Sequence, residues 1–139
     1  MAGLFARYAR CFNAALGGDM DMDEIARLYA TEFIAASPHG VLAGKNDADL
    51  AHAMAQGYSR YRALGTKEMR LRGQRLSPID ERHCVAHVAW TAVYAKDGRP
   101  DVAIDFEVHY FVQKLDGDPK VFGWVAGDEQ ALLEAHGIG

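Results

Sequence analysis

The sequence predicts an α+β fold, with helices first and an antiparallel sheet after them. Three observations carry this. Up to Gly65 most apolar residues recur at helical spacing; after it they recur at every second position. Turn residues punctuate the later part at 78–81, 96–101 and 116–118. A last helical stretch then follows Asp128, so helices would cover one face of the sheet.

Leu4, Phe5, Tyr8, Phe12, Ala15 and Leu16 follow helical spacing, and Gly17 and Gly18 end that helix. Asp21 or Asp23 can cap a short second helix carrying Ile25, Leu28 and Tyr29. The stretch TEFIAASPHGVLAGKN then runs extended and turns at 38–40. Asn46 or Asp47 caps a third helix, with Leu50, Ala53, Met54, Gly57, Tyr61 and Leu64 on one face, and Gly65 closes it. Four strands follow at 67–78, 83–95, 102–115 and 119–126. The terminal helix spans 129–136 and stops at Gly137.

The two long central strands form a hairpin. Placing Tyr94 opposite Ile104 sets Trp90 against Val108 and Val88 against Tyr110, an apolar face throughout. The other face then pairs Thr91 with Glu107, Ala89 with His109 and Val93 with Asp105. A slip of one residue would mix the faces, which a half-buried sheet resists. Trp90, Tyr94, Phe106, Val108 and Tyr110 are therefore expected to face the helices, and Asp105, Glu107 and His109 to face away.

The 139 residues suit one domain over 1–139. Half are hydrophobic and about a quarter charged, a globular composition. The net charge of −4 argues against a nucleic-acid partner. Arg70, Arg72 and Arg75 read as an exposed strand edge. Cys11 and Cys84 fit no motif and are expected as reduced thiols in a cytoplasm. Arg7 and Arg10 break the apolar N-terminus as a signal peptide, and no apolar run reaches membrane-span length, so no membrane partner is expected.

Two stretches add a family resemblance. PHGVLAGKNDADL presents a turn, glycines and a capped third helix. DGDPKVFGWVAGDEQALLEAHGI presents Asp116 and Gly117 in a turn, then a strand, Trp124, Asp128, Leu132, Leu133 and Gly137. This layout resembles the SnoaL-like branch of the nuclear transport factor 2-like superfamily across nearly the whole chain. The resemblance implies a cone-shaped barrel of a strongly bent antiparallel sheet packed on three N-terminal helices, with a short C-terminal helix. It also implies a pocket between the concave sheet face and the helices, and homodimers through the sheet. Members include ketosteroid isomerases, polyketide cyclases, dehydratases, epoxide hydrolases and non-catalytic modules. The long hairpin segment of the cyclases is absent; the chain turns tightly at KDGRPD.

Acid–base chemistry in such a cone needs a carboxylate or histidine in apolar surroundings, where burial lifts a carboxylate toward the working pH. Asp128 and His109 are the catalytic candidates. Asp128 reads first as a helix N-cap, which does not exclude a role in the pocket. His109, Glu107 and Asp105 stand about 7 Å apart along one strand face, close enough for a carboxylate to orient an imidazole. The same row reads as a solvated or dimer-buried surface, pairing with Thr91 and His87 of a second copy and making association depend on pH. His83 and His87 would stand about 13 Å apart on a strand, too far to share a zinc ion, so no metal site is expected. His39 sits in the turn at 37–40, which reads as a plain surface turn before it reads as a pocket rim. Tyr29, Phe33, Tyr58, Tyr61, Trp90, Phe106, Tyr110 and Trp124 are candidate ligand-binding residues, with Tyr58 and Tyr110 expected to aim hydroxyls at a flat apolar molecule. No phosphate-binding glycine motif or nucleophile set is present, and no cofactor is expected.

Two functions follow as expectations. One is binding of a small apolar or aromatic molecule, with cofactor-free isomerase, dehydratase or cyclase chemistry through one acid–base residue. The other is a non-catalytic homodimeric ligand carrier or accessory module.

Overall fold

The computed structural model describes residues 2–95 and 98–138. Its elements run α1 (Ala2–Leu16), α2 (Met22–Ala26), β1 (Tyr29–Ser37), β2 (Gly40–Lys45), α3 (Ala48–Ala63), β3 (Thr66–Pro78), β4 (His83–Tyr94), β5 (Val102–Gln113), β6 (Lys120–Ala126) and α4 (Glu129–Ala135). The α+β reading holds, with three helices before the long strands and one short helix after them.

The extended segment after α2 is a hairpin, β1–β2, turning where Pro38 predicts it. The second helix is shorter than expected: it stops at Ala26, and Tyr29 opens β1 instead of lying on the helix. The expected turn at 96–101 is described only from residue 98, since 96 and 97 lie outside the described residues.

The strands form one sheet in the order β2-β1-β6-β5-β4-β3. It is mixed rather than purely antiparallel, because β1 runs parallel to β6. It is also open, with β2 and β3 as edges, so the cone does not close into a barrel. The parallel pair joins residues 89 positions apart, such as Ala35 and Trp124, a long-range pairing that local pattern does not carry. Register shifts in β1, β3 and β5–β6 bend the sheet over α1.

The β4–β5 register differs from the expected one by two residues. Tyr94 pairs with Val102, Trp90 with Phe106 and Val88 with Val108; Ala89 pairs with Glu107 and Thr91 with Asp105. A two-residue shift returns every side chain to its face, so alternation cannot detect it. The connecting turn is simply shorter. The faces are as read: Trp90, Tyr94, Val108 and Tyr110 are buried, while Asp105 and Glu107 are exposed.

The core lies between α1 and the inner face. Leu4, Phe5 and Phe12 of α1 cluster with Val88, Trp90, Tyr110 and Val112, and Ile25, Leu28 and Leu133 join the same core. Asn13 fastens α1 to β3: its Oδ1 accepts from the Met69 amide at 2.8 Å, and its Nδ2 donates to the Met69 carbonyl at 2.9 Å. Gly65 turns α3 into β3 at φ +86°, a left-handed conformation that favours glycine.

In contrast, α3 buries none of its residues. Asp47, not Asn46, caps it, accepting from the Asp49 and Leu50 amides. Asn46 instead pins the strap before the helix, its Nδ2 donating to the carbonyls of Ala26 (2.8 Å) and Tyr29 (3.2 Å). At its other end α3 is clasped to α4: the Tyr61 hydroxyl donates to Glu129 at 2.6 Å, and Arg60 donates to Gln130.

Candidate functional site

The held-off position of α3 leaves a cavity of about 1140 Å³ beneath it, open to solvent. The predicted face of α3 supplies the roof through Leu50, Ala53, Met54, Gly57 and Tyr61, joined by Tyr58. The sheet supplies Trp90, Phe106, Tyr110 and Trp124, and β1 supplies Tyr29 and Phe33. All eight aromatic residues singled out from the sequence therefore line one cavity. They meet there because alternation on β4, β5 and β6 and helical spacing on α3 turn them toward the same space.

At the floor, hydroxyls gather. The Tyr29 hydroxyl lies 3.0 Å from that of Tyr8, and Trp90 Nε1 donates to the Tyr110 hydroxyl at 3.1 Å. Tyr8 packs its ring against Tyr29, Trp90 and Tyr110 at centroid distances of 6.2, 5.7 and 5.8 Å. Burial pushes Tyr29 and Tyr110 well above the usual tyrosine range and raises Tyr8, so all three remain protonated donors. Tyr58 and Tyr61 rise for the same primary reason. Tyr8 belongs to this group although the sequence points to it only as core. Its hydroxyl, on a helix face shared with Phe5 and Phe12, was the available signal: a polar tip facing the core needs a partner.

Near the mouth, Phe33 and Trp124 stack with centroids 5.3 Å apart and planes 18° from parallel. Gly44 on the neighbouring strand makes this possible. A Cβ there would lie 2.5 Å from Phe33 Cζ, so the ring occupies the space a side chain would take.

Asp128 borders the cavity and caps α4, accepting from the Ala131 amide at 3.0 Å. Its other oxygen lies 3.3 Å from Nε2 of His39, brought over by the β1–β2 turn. The Ala131 amide, with His39 adding to it, holds the Asp128 carboxyl below the usual carboxylate range. It is a weaker base than a carboxylate in apolar surroundings would be.

His109 lies on the opposite side of the sheet and does not line the cavity. Its Nδ1 faces Nδ1 of His87 at 2.7 Å, and Nε2 of His87 meets the Ser77 hydroxyl at 2.9 Å. Thr91 donates to Asp105 at 2.6 Å. The pairings expected between two copies thus close within one chain. Among the described residues, no group of three or more His, Cys, Asp or Glu side chains is placed to hold a metal ion. Among the described residues Cys11 and Cys84 form no disulfide, and no described helix is long and apolar enough to cross a membrane.

Comparison with known proteins agrees with the architecture. A Novosphingobium aromaticivorans NTF2-like protein with a cystatin-like fold superposes with a TM-score of 0.67 at 14% identity, covering 94% of this chain and 84% of that one. An NTF-2 like protein of unknown function from Shewanella oneidensis gives 0.63 at 16% identity, covering 91% and 98%. A Xanthomonas campestris protein provisionally named a polyketide cyclase gives 0.54 at 20% identity, covering 96% and 93%. At these identities the likeness is one of fold. No curated protein matches the chain. The family model for NTF2-like protein (DUF6841) matches residues 1–129, and the chain belongs to that family.

Proposed function

We propose that the chain binds a small apolar or aromatic molecule in the cavity under α3 and serves as a homodimeric ligand-binding module. The observation that carries this is the cavity itself. Aromatic rings wall it, and hydroxyl donors gather at its floor, the mixture of apolar surface and a few placed polar groups that small-molecule sites use. Tyr29 and Tyr110 would orient an oxygen of the ligand from below; Phe33, Tyr58, Tyr61, Trp90, Phe106 and Trp124 would hold its faces.

A second reading has one observation in its favour. The Asp128–His39 pair at the mouth is a carboxylate–imidazole couple, the arrangement used for cofactor-free proton transfer. The depressed carboxyl and its capping bond weigh toward binding without chemistry.

A thermal-shift screen of flat polycyclic, steroid-like and terpenoid compounds tests both readings, with Asp128→Asn beside the wild type. Selective stabilisation by one class supports binding. Conversion of that class by the wild type but not by Asp128→Asn would establish the second reading. No stabilisation by any class would contradict the first.

A further inference from the structure

We propose that His87 and His109, cross-strand neighbours on the outer face of the sheet, form a two-nitrogen chelating site for a divalent transition-metal ion, copper(II) in particular. The site is separate from the cavity and does not depend on the binding reading given to it.

The first support is convergence. His87 and His109 are directly opposite partners in the β4–β5 ladder, and both are half-buried. Residues four apart on one strand, such as His83 and His87, are too distant to share an ion, whereas opposite partners have Cβ atoms about 5 Å apart. Here the two Nδ1 atoms stand 2.7 Å apart, with the rings at 71° to one another. Two nitrogens held about 2.0–2.1 Å from one ion stand about 2.9 Å apart at a right angle and about 3.3 Å apart in a tetrahedron. The observed separation is closer to the right-angled value, the tetragonal preference of copper(II), which also binds nitrogen sites most tightly among the first-row divalent ions. An outward turn of the two rings points both lone pairs at one ion.

The second support is Ser77. Its hydroxyl oxygen lies 2.9 Å from Nε2 of His87 and accepts from Arg75 at 3.3 Å. An outer partner on the far nitrogen is the arrangement that orients metal-bound imidazoles. With Nε2–H of His87 donated to Ser77, Nδ1 of His87 keeps its lone pair, and the proton between the rings belongs to His109. Metal binding moves that proton to Nε2 of His109 and sets the ion in its place. Around the pair, Arg75 lies opposite His87 on β3 and opposes a cation. Glu107, two residues before His109 on the same face and opposite the small Ala89, offsets it. Val125 flanks His109 from β6 and carries no charge. The pair supplies two ligands and water the rest, so the site is an open chelate and not a closed cage.

Calorimetric titration of copper(II) chloride into the full chain at about pH 7.5 tests this, with magnesium chloride as the control, since magnesium prefers oxygen ligands. Copper is expected to bind and magnesium not. His87→Gln and His109→Gln should each weaken copper about tenfold or more, and Ser77→Ala about tenfold, while His52→Gln changes nothing. Binding should weaken as pH falls below about 6.5 and the imidazoles take up protons. Electron paramagnetic resonance of the copper-loaded wild type, which needs no variant to fold, should show two equatorial imidazole nitrogens. Copper binding unchanged in both histidine variants, a spectrum of oxygen ligands alone, or binding no tighter than that of magnesium would overturn the proposal.

Discussion

Nδ1 of His87 faces Nδ1 of His109 at 2.7 Å across the β4–β5 ladder. One nitrogen must carry the proton and the other the lone pair, so a doubly protonated pair would repel. Partial burial first, then Arg75 and His109, hold His87 below the usual histidine range. Its folded value is therefore below its unfolded value of about 6.5. The stability it contributes is present above about pH 6.5 and is lost as pH falls through the folded value. Thermal melts between about pH 7.5 and pH 5 should show the midpoint falling with acid. The fall should be smaller in His87→Gln. An identical fall in both would contradict this role for the pair.

Trp90 is 2% exposed, packs against Tyr8 and donates to Tyr110. Trp90→Ala should cost about 3–5 kcal/mol in denaturant unfolding. A loss below about 1 kcal/mol is the range of an exposed position and would contradict the inner face as described.

Asn46 ties the strap before α3 to two carbonyls of the α2–β1 junction. Asn46→Ala should cost about 1–3 kcal/mol, since both carbonyls lose a donor in a half-buried place. Asp47→Asn, at the neighbouring cap, should cost only a few tenths of a kcal/mol. Urea unfolding of the two variants side by side checks the contrast.

The outer face carries a continuous cross-strand row, Val41–Ala36–Val125–His109–His87. Val41, Ile34 and Val125 on that side are 68%, 51% and 41% exposed. Apolar exposure of this kind suits a partner surface, and the proposed homodimer would cover it. Light-scattering chromatography should give twice the chain mass, and Val125→Glu should give the monomer. A monomeric wild type at tens of micromolar would contradict the dimer.

Much of the fold was legible because period is a local signal. The change at Gly65, the turns and the caps at Asp47 and Asp128 each lie within a few residues of what they control. The face assignment of β4 and β5 was legible too, whereas their register was not, because Tyr94 facing Val102 or Ile104 leaves the same faces. The parallel β1–β6 pair joins residues such as Ala35 and Trp124, and no short window holds both. The cavity's aromatic residues were readable by type. That α3 stands off to make a cavity of them was not, since its apolar face reads the same packed or held away. Nor was the Asp128–His39 contact, which depends on where the β1–β2 turn lands.

Ala53 lies on the exposed α3 and borders the cavity without belonging to the core. Ala53→Trp therefore sets an indole at the roof and takes up part of the cavity while leaving the fold in place. The most direct measurement is the thermal shift of the wild type and Ala53→Trp with the same saturating planar aromatic compound. Binding under α3 predicts a rise in the melting midpoint of the wild type and a clearly smaller one in Ala53→Trp. An equal rise in both would place the compound elsewhere and contradict the account.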